Sequence, residues 1–153
     1  MPVPRDPDCI FCKIIAGEIP CAGILETENF LAFLDIAPVR PGHALVVSKG
    51  HYPTLFDLPA EFGGELIEAL QGVSRAVMEA TGADGFNVGM NNFKAAGQLV
   101  HHAHIHIIPR ASDDGLELWG QTPYPDQDRM AQTASLIRAR IPAAQQPKTG
   151  GRT

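Results

Sequence analysis

Three histidines recur at every second position in the stretch GQLVHHAHIHIIPR, which spans residues 97–110. In a β-strand, successive side chains point to opposite faces, so His102, His104 and His106 would share one face. The apolar residues between them would then enter a core from the other face. A row of imidazoles suits a site that handles an anion, transfers a proton or binds a metal. The alternative is an exposed strand that is merely rich in histidine, but such a row would contribute little to folding.

A second candidate site lies near the N-terminus, where Cys9 and Cys12 form a Cys-x-x-Cys pair. The chain has 3 cysteines, and its N-terminus lacks the apolar core of a signal peptide, which argues against a disulfide framework. The pair therefore indicates metal or redox chemistry, and alone it does not separate the two. Cys21, which stands apart, is expected to be a small buried apolar residue.

Composition limits the class of protein. The chain has 153 residues, with 12 Lys and Arg against 17 Asp and Glu, and a net charge of -5. This length fits one domain with a core, and the acidic balance argues against a nucleic acid polymer as partner. A small nucleotide in a local pocket is compatible with this charge. No apolar run approaches the ~20 residues of a membrane span, so we expect no membrane association and a cytoplasmic location.

Hydrophobic periodicity and turn signals predict the elements that must position these residues. A short helix is predicted around the cysteine pair, and strands are predicted at residues 23–27, 30–35, 43–47 and 85–91 and through the histidines. The first two strands form a hairpin. Apolar residues three or four apart predict a long amphipathic helix over residues 60–81. Because strands and helices do not alternate regularly, the expected fold class is α+β with an antiparallel sheet.

The same signals divide the chain into four parts. Residues 1–8 are polar and rich in proline, and we expect them to form a flexible arm. Residues 9–125 are expected to form the domain, and helical spacing predicts a C-terminal helix at residues 126–141. A disordered tail is expected at residues 142–153.

The histidine stretch at residues 97–110, together with the Cys-x-x-Cys pair and the predicted strands, resembles the signature of the histidine triad (HIT) family. The similarity runs from about residue 9 to residue 110, with the motifs in the family's order and spacing. It is greatest to bacterial members of the Hint branch that begin Cys-Ile-Phe-Cys-Lys-Ile-Ile, as residues 9–15 do. The resemblance implies an antiparallel sheet of about five strands with one long helix and a short N-terminal helix, in a two-fold dimer.

The resemblance also implies a nucleotide-binding enzyme that cleaves nucleoside 5′-phosphoramidates or related nucleotidyl derivatives and releases the nucleoside monophosphate. In the family the middle histidine, here His104, attacks the α-phosphorus and forms a covalent nucleotidyl-histidine intermediate. His106 would bind a phosphoryl oxygen or help to protonate the leaving group. The expected partners are a purine nucleotide, derived from AMP or GMP, and a second copy of the chain.

Two other functions remain open. Cleavage of diadenosine polyphosphates would use the same residues, and it would differ in a leaving-group pocket built partly from the segment around Trp119 and Tyr124. A nucleotide-binding or scaffold protein with vestigial activity is the alternative outside the enzymes. The intact triad argues against this last alternative.

Other positions match the family's substrate contacts. The resemblance assigns the ribose hydroxyls to the carboxylate of Asp35 and the walls around the base to Phe33 and Ile36. On its own merits, however, Asp35 could cap the turn before Pro38, and Phe33 could be a core residue. The resemblance also counts His102 and Gln98 among the catalytic residues, with Gln98 expected to bond to phosphate oxygens, and the remaining substrate contacts that it implies are Gly97, Asn91, Leu99 and His43. Without the resemblance, Asn91 would be interpreted simply as a loop residue. Leu99 departs from the family, in which a small hydroxyl or acidic residue is common at this position.

The cysteine pair joins two distant histidines in a second implied site. Cys9, Cys12, His51 and His102 match a tetrahedral zinc with two thiolates and two imidazoles, as in related nucleotidyl transferases. The resemblance therefore implies a structural zinc behind the active site that fixes His102. In the alternative, the cysteines are free thiols and His102 bonds to His43. The neighbouring His101 would point away from the triad and take no part.

Overall fold

The computed structural model describes residues 4–146. The chain divides into two compact units, residues 1–114 and residues 115–153. The predicted N-terminal arm and the predicted C-terminal tail both extend beyond the described residues, at positions 1–3 and 147–153.

The first unit is built on one sheet of five strands, in the order β1-β2-β3-β5-β4. All neighbouring strands are antiparallel. The strands are Gly23–Glu26 (β1), Phe30–Leu34 (β2), Ala44–Ser48 (β3), Gly85–Gly89 (β4) and His104–Arg110 (β5). The β1–β2 pair is the predicted hairpin. The sheet confirms the expected α+β class and the expected number of strands.

Two helices belong to this unit. The short helix Ile10–Ile15 (α1) contains the second cysteine of the pair. The long helix Gly63–Thr81 (α2) follows a 3-10 turn at Ala60–Phe62, so the predicted helix begins in the tighter geometry. Glycines are poor helix formers, and two of them open the α-helical part. The helix ends where Gly82 takes a left-handed conformation, with φ 65.

Each face of the sheet is covered by one helix. On one face, α2 buries its apolar stripe against β2, β3 and β5, in a cluster that includes Val73, Val46 and Ile107. On the other face, α1 packs against β2 and β3 through Phe11, Phe33 and neighbouring residues. The strand β3 is therefore buried along its whole length. On this face, His104 of β5 contacts the helix through the ring of Phe11.

The histidine strand begins later than predicted. It starts at His104, and the residues before it form a bend in which the N–H of His102 donates to the carbonyl of Val100 (2.8 Å). The N–H of Ala103 donates to the carbonyl of Tyr52 (2.6 Å), outside the ladder of the sheet. The prediction that His102 lies in the strand is therefore wrong. Strand alternation accounts only for His104 and His106, whereas the bend places the ring of His102 against Phe11 and the two cysteines.

The second unit contains the helix Gln127–Arg138 (α3). The carboxylate of Asp126 caps it by accepting from the N–H of Arg129 (2.7 Å). The helix was predicted over residues 126–141 and is shorter in the structure. Its last turn tightens, since the N–H of Ile141 bonds to the carbonyl of Arg138, three residues back. A further 3-10 turn, Ala143–Gln145, follows.

None of the helices within residues 4–146 combines the length and the hydropathy that a membrane crossing requires.

Candidate functional site

The site lies on the face of the sheet that α1 covers. His104 and His106 project from β5 and are paired with Val47 and Leu45 of β3. Their rings are in edge contact, with centroids 5.0 Å apart. His104 is 6% exposed and His106 is half-buried. The two predicted catalytic imidazoles are therefore adjacent and largely shielded from water.

The ring of His104 is held in one orientation by the backbone. Its Nδ1–H donates to the carbonyl of His102 at 2.6 Å. A neutral imidazole with its proton on Nδ1 carries a lone pair on Nε2. Phe11 of α1 packs edge-on against the same ring, with centroids 5.1 Å apart. The result is an imidazole that presents an unprotonated nitrogen in a fixed direction, as a nucleophile requires.

A second chain of contacts fixes His106. The backbone N–H of Val39 donates to Nδ1 of His43 at 3.1 Å, so His43 carries its own proton on Nε2. That Nε2–H faces Nδ1 of His106 at 2.9 Å and donates to it. His106 is thereby left with its proton on Nε2. The Nε2 of His106 is therefore a donor, whereas the Nε2 of His104 is an acceptor.

Burial favours the uncharged forms of the His106 and His43 rings. It is the main cause that lowers the pKa of His106 to about 4, with further lowering by His104 and His43. Burial also lowers the pKa of His43, against an opposing effect of Asp35. The arrangement can therefore offer a neutral N–H donor near neutral pH without adding a buried positive charge.

The four predicted metal ligands lie together. The Sγ of Cys9 is 3.4 Å from Nδ1 of His102, and the Sγ of Cys12 is 3.4 Å from Nδ1 of His51 and 3.7 Å from Nδ1 of His102. All four donor atoms lie within 4.8 Å of one another. In tetrahedral zinc, sulfur and nitrogen ligands are about 3.6 Å apart, given ordinary bond lengths. The spacing of the donors therefore fits zinc.

The surroundings of the cluster also fit a metal. The Nε2–H of His102 donates to the carbonyl of Ser48 at 2.7 Å, which leaves Nδ1 free to act as a ligand. Asp6 contacts two of the other candidate ligands. Its N–H is 3.5 Å from the Sγ of Cys12, and its carboxylate is 3.7 Å from Nε2 of His51. Burial raises the pKa of the Cys12 thiol, so a thiolate there needs a nearby cation.

The structure separates the alternatives for these residues. His102 contacts the cysteines and Ser48, whereas His43 contacts His106. The alternative bond between His102 and His43 is not formed. Cys21 was expected to be buried, and that expectation is wrong. The residue is exposed because it lies just before β1, an edge strand with little packed against it.

The loop before the histidines contains a buried amide. Gln98 is 3% exposed, and its Oε1 accepts from the N–H of Phe93 at 2.7 Å. Its Nε2 donates to the carbonyls of Pro53 (2.7 Å) and Val100 (3.1 Å). Gly97 has φ 85, a conformation that side chains rarely tolerate. The polar atoms of Gln98 thus meet backbone groups, and the loop turns at Gly97.

The residues predicted to contact the nucleoside occupy different environments. Asp35 accepts through Oδ1 from the N–H of Ala37 at 2.9 Å, the predicted turn cap, and its Oδ2 lies 3.7 Å from Nδ1 of His43. Phe33 is buried against Phe11, with ring centroids 5.7 Å apart. Ile36 is fully exposed. These positions leave three acceptor lone pairs on Asp35 for a ligand.

Two other predicted contacts, Asn91 and Leu99, belong to the loop. Asn91 is partly buried, and its Nδ2 lies 3.6 Å from where a side chain at Gly97 would begin. Leu99 is 92% exposed. His101 is also exposed.

Two features of the site were missed in the sequence. Phe11 packs against the rings of both His102 and His104, and so connects the group of candidate metal ligands to the ring of His104. Its place between the two cysteines was the available signal. The link from Val39 through His43 to His106 had no sequence signal, because it depends on how a loop folds back on the ring.

Comparison with known proteins identifies the family. The family model of the HIT domain matches residues 16–113 of this chain. An adenylylsulfatase of Arabidopsis thaliana is 46% identical over 109 residues, which is 71% of this chain and 55% of that protein. The chain thus spans about half the length of this relative. An adenosine 5′-monophosphoramidase of Schizosaccharomyces pombe is 42% identical over 118 residues, or 76% of this chain and 85% of that protein.

Solved structures agree. A HIT family protein from Bacillus subtilis superposes with a TM-score of 0.82 at 38% identity, over 89% of this chain and 99% of that one. A zinc-bound histidine triad family protein from Mycobacterium smegmatis superposes with a TM-score of 0.68 at 38% identity, over 84% of this chain and 97% of that one. The expected resemblance is confirmed: the chain belongs to the HIT domain family.

Proposed function

We propose that the chain is a nucleotide hydrolase that cleaves nucleoside 5′-phosphoramidates, with His104 as the nucleophile. The observation that carries this proposal is the fixed tautomer of His104, whose Nδ1–H bonds to a backbone carbonyl while Nε2 keeps its lone pair. The names of two relatives, an adenosine 5′-monophosphoramidase and an adenylylsulfatase, support an adenosine nucleotide as substrate.

The proposed reaction has two steps. In the first, the Nε2 lone pair of His104 forms a bond to the α-phosphorus. The bond from phosphorus to the leaving nitrogen breaks, and that nitrogen keeps the electron pair and takes a proton from water. In the second step, a water oxygen attacks the phosphorus and the bond to His104 breaks, which returns the pair to Nε2. The attacking water loses its proton to solvent, and the nucleoside monophosphate leaves.

His106 is proposed to bind a phosphoryl oxygen through its Nε2–H. The sequence left two roles for it, and the hydrogen-bond chain favours this one. If His106 gave away its Nε2 proton, the ring would stay neutral only by taking a proton at Nδ1. The group that donates to Nδ1 is the Nε2–H of His43, which would then need a new proton of its own. His43 in turn accepts from the N–H of Val39, which cannot supply a proton. A neutral donor that stays protonated suits the stabilisation of developing negative charge.

The remaining substrate contacts are proposed from the resemblance, with support from their placement. Asp35 keeps free lone pairs beside His43 and can accept from the ribose hydroxyls. Ile36 is exposed and available to pack on a base. Gly97, Asn91 and Leu99 lie on the loop that precedes the histidines and would face the phosphate or leaving group.

We also propose that the Cys9, Cys12, His51 and His102 cluster binds a structural zinc ion. The donor set and its spacing support this, and so does the zinc-bound relative. Zinc would hold the cysteine thiolates and the two imidazoles together. This would fix the bend whose carbonyl, that of His102, orients the nucleophile.

A two-fold dimer is proposed through α2 and β4. The strand β4 is at the edge of the sheet, and its Phe86 and Val88 are exposed. They line a groove of about 380 Å³ together with α2 residues such as Ile67. Within the described residues, the buried hydroxyl of Ser74 in this groove has no hydrogen-bond partner. An open strand edge beside apolar side chains is a surface that a second copy could cover.

The test of the function is a substrate panel with matched variants. We expect adenosine 5′-phosphoramidate to yield AMP, measured by chromatography, and expect His104→Ala to lower kcat by at least about 10³-fold. His101→Ala removes an exposed histidine of the same stretch and should keep turnover. Mass spectrometry after an alkaline quench should detect a nucleotidyl group on His104.

The same panel separates the other functions. Preferential release of AMP from diadenosine polyphosphates would favour the alternative hydrolase. Nucleotide binding without any product would favour the binding or scaffold protein. Full turnover by His104→Ala would show that another residue is the nucleophile.

A further inference from the structure

The side chain of Gln98 is fully engaged with backbone groups. The residue is 3% exposed, and the Oε1 and Nε2 atoms together make three hydrogen bonds, to Phe93, Pro53 and Val100. An amide has two N–H donors, and both face carbonyl oxygens here. With the amide reversed, its NH₂ would face the N–H of Phe93 and its oxygen would face two carbonyls, so the partners settle its orientation.

These bonds join three segments of backbone. Pro53 lies two residues after the metal ligand His51, and Val100 lies two residues before the metal ligand His102. Phe93 begins the turn that ends at Gly97, and it has φ 67, which is rare for a bulky residue. The bond from its N–H to Gln98 holds the peptide in that conformation.

One of these bonds leads to the nucleophile. The carbonyl of Val100 accepts both from Nε2 of Gln98 (3.1 Å) and from the N–H of His102 (2.8 Å). The carbonyl of His102 in turn accepts from Nδ1 of His104 (2.6 Å). Gln98 thus anchors one end of the bend whose other end selects the tautomer of His104.

We propose that Gln98 is a positioning residue for His104 and that its side chain does not bind the substrate's phosphate. A phosphate contact would require the NH₂ group to leave the buried carbonyl of Pro53, for which the described residues show no second donor, and to give up one of the two bonds at the carbonyl of Val100. The inference rests on the proposed function only in taking His104 as the nucleophile. It assigns Gln98 a role different from the phosphate contact that the sequence suggested.

The test uses Gln98→Met, which keeps the length of the side chain and removes all three bonds. Asn92→Ala is the matched control. Oδ1 of Asn92 accepts from the N–H of Leu55 at 2.8 Å, so it also ties the loop before Gln98 to the segment after His51, but it does not contact Val100. We expect Gln98→Met to lower kcat by roughly 10- to 100-fold and to change KM by less than about twofold. Asn92→Ala should leave both constants near those of the wild type.

A spectroscopic readout separates positioning from general damage. Nitrogen-15 NMR of the histidine rings should show His104 as a single Nδ1–H tautomer in the wild type and in Asn92→Ala. In Gln98→Met that single tautomer should be lost, while thermal unfolding remains cooperative. If Gln98→Met does not fold, Gln98→Glu carries the same expectations, since it keeps an acceptor for Phe93 and loses both donors.

Two results would overturn the inference. One is a raised KM at unchanged kcat with the tautomer of His104 intact, which is the result expected of a phosphate ligand. The other is a folded variant with unchanged kcat and tautomer. The NMR measurement needs no substrate, so inactivity of the wild type would contradict the proposed function and leave this inference to its own readout.

Discussion

Two backbone groups give the same residue type opposite roles in this site. The carbonyl of His102 places the proton of His104 on Nδ1, which exposes a lone pair. The N–H of Val39 acts through His43 and places the proton of His106 on Nε2, which exposes a donor. Adjacent imidazoles thus present a lone pair and a hydrogen-bond donor without a change of charge.

The low pKa of His106 predicts a pH effect on stability. Burial lowers this pKa from its ordinary value of 6.5 to about 4. Between these values the unfolded chain binds more protons at this residue than the folded chain, so the free energy of unfolding falls as the pH falls. His106→Asn keeps an acceptor for His43 and removes the titration. The free energy of unfolding can be measured with urea at about pH 7 and about pH 4.5. We expect its loss between these two pH values to be smaller in the variant than in the wild type by roughly 1–3 kcal/mol.

The comparison of the two proteins isolates this ring, because the other buried groups titrate in both. Equal losses of stability in wild type and His106→Asn would show that His106 does not carry the effect. A greater loss in the variant would contradict the direction of the pKa shift.

Residue types and spacing were sufficient to predict which side chains meet, but not how each one is used. The cysteine pair and the distant histidines were expected together, and the structure brings them within 4.8 Å. The tautomer of His106 could not be predicted, since it depends on the N–H of Val39 acting through His43. For the same reason the internal bonds of Gln98 were not foreseen: they require Pro53 and Phe93 to approach from other segments.

At the scale of elements, α1 depends on what it contacts. It has six residues, Ile10–Ile15, too few to be stable as an isolated helix. Phe11 and Cys12 are its buried residues, and they face the sheet and the cluster of cysteines and histidines. A metal bound by Cys9 and Cys12 would therefore connect this helix to the bend that orients His104.

Removal of the metal should loosen α1. We expect protein purified without chelator to hold about one zinc per chain, and Cys12→Ser to hold little. At free zinc concentrations about 100- to 1,000-fold above Kd, the loss should cost roughly 3–4 kcal/mol in the free energy of unfolding. Hydrogen exchange of residues 10–15 should become faster in the same variant.

Cys21→Ser is the matched control for this experiment, since Cys21 is an exposed thiol outside the cluster. It should keep both the zinc and the slow exchange. Substoichiometric metal in the wild type, or unchanged stability in Cys12→Ser, would contradict the zinc proposal.

The elements themselves were largely predictable, and the exception has a physical cause. Alternation of apolar residues predicted the hairpin and the strand with His104, and helical spacing predicted α2. The strand was expected to include His102, because alternation continues through it. In the structure, the segment before His104 bonds instead to the chain after β3, at Tyr52 and Pro53. Periodicity reports which face a residue prefers, but not where a strand gives way to a bend.

At the scale of the whole molecule, the two edges of the sheet differ. One edge is β1, a short strand that forms a hairpin with β2. The other is β4, beside the groove that it forms with α2. An exposed edge with apolar side chains favours pairing with another chain, so the β4 edge is the better candidate for an interface between copies.

A charge on β4 should therefore separate the proposed dimer. Val88 is 47% exposed and lines the groove, so Val88→Lys would bury an unpaired ammonium group in the interface. We expect sedimentation velocity to show a dimer for the wild type and a monomer for this variant at micromolar concentration. Ile24→Lys places the same charge on β1, where Ile24 is 39% exposed, and should remain dimeric. A monomeric wild type would contradict the proposal, and dissociation by Ile24→Lys alone would move the interface to the other edge.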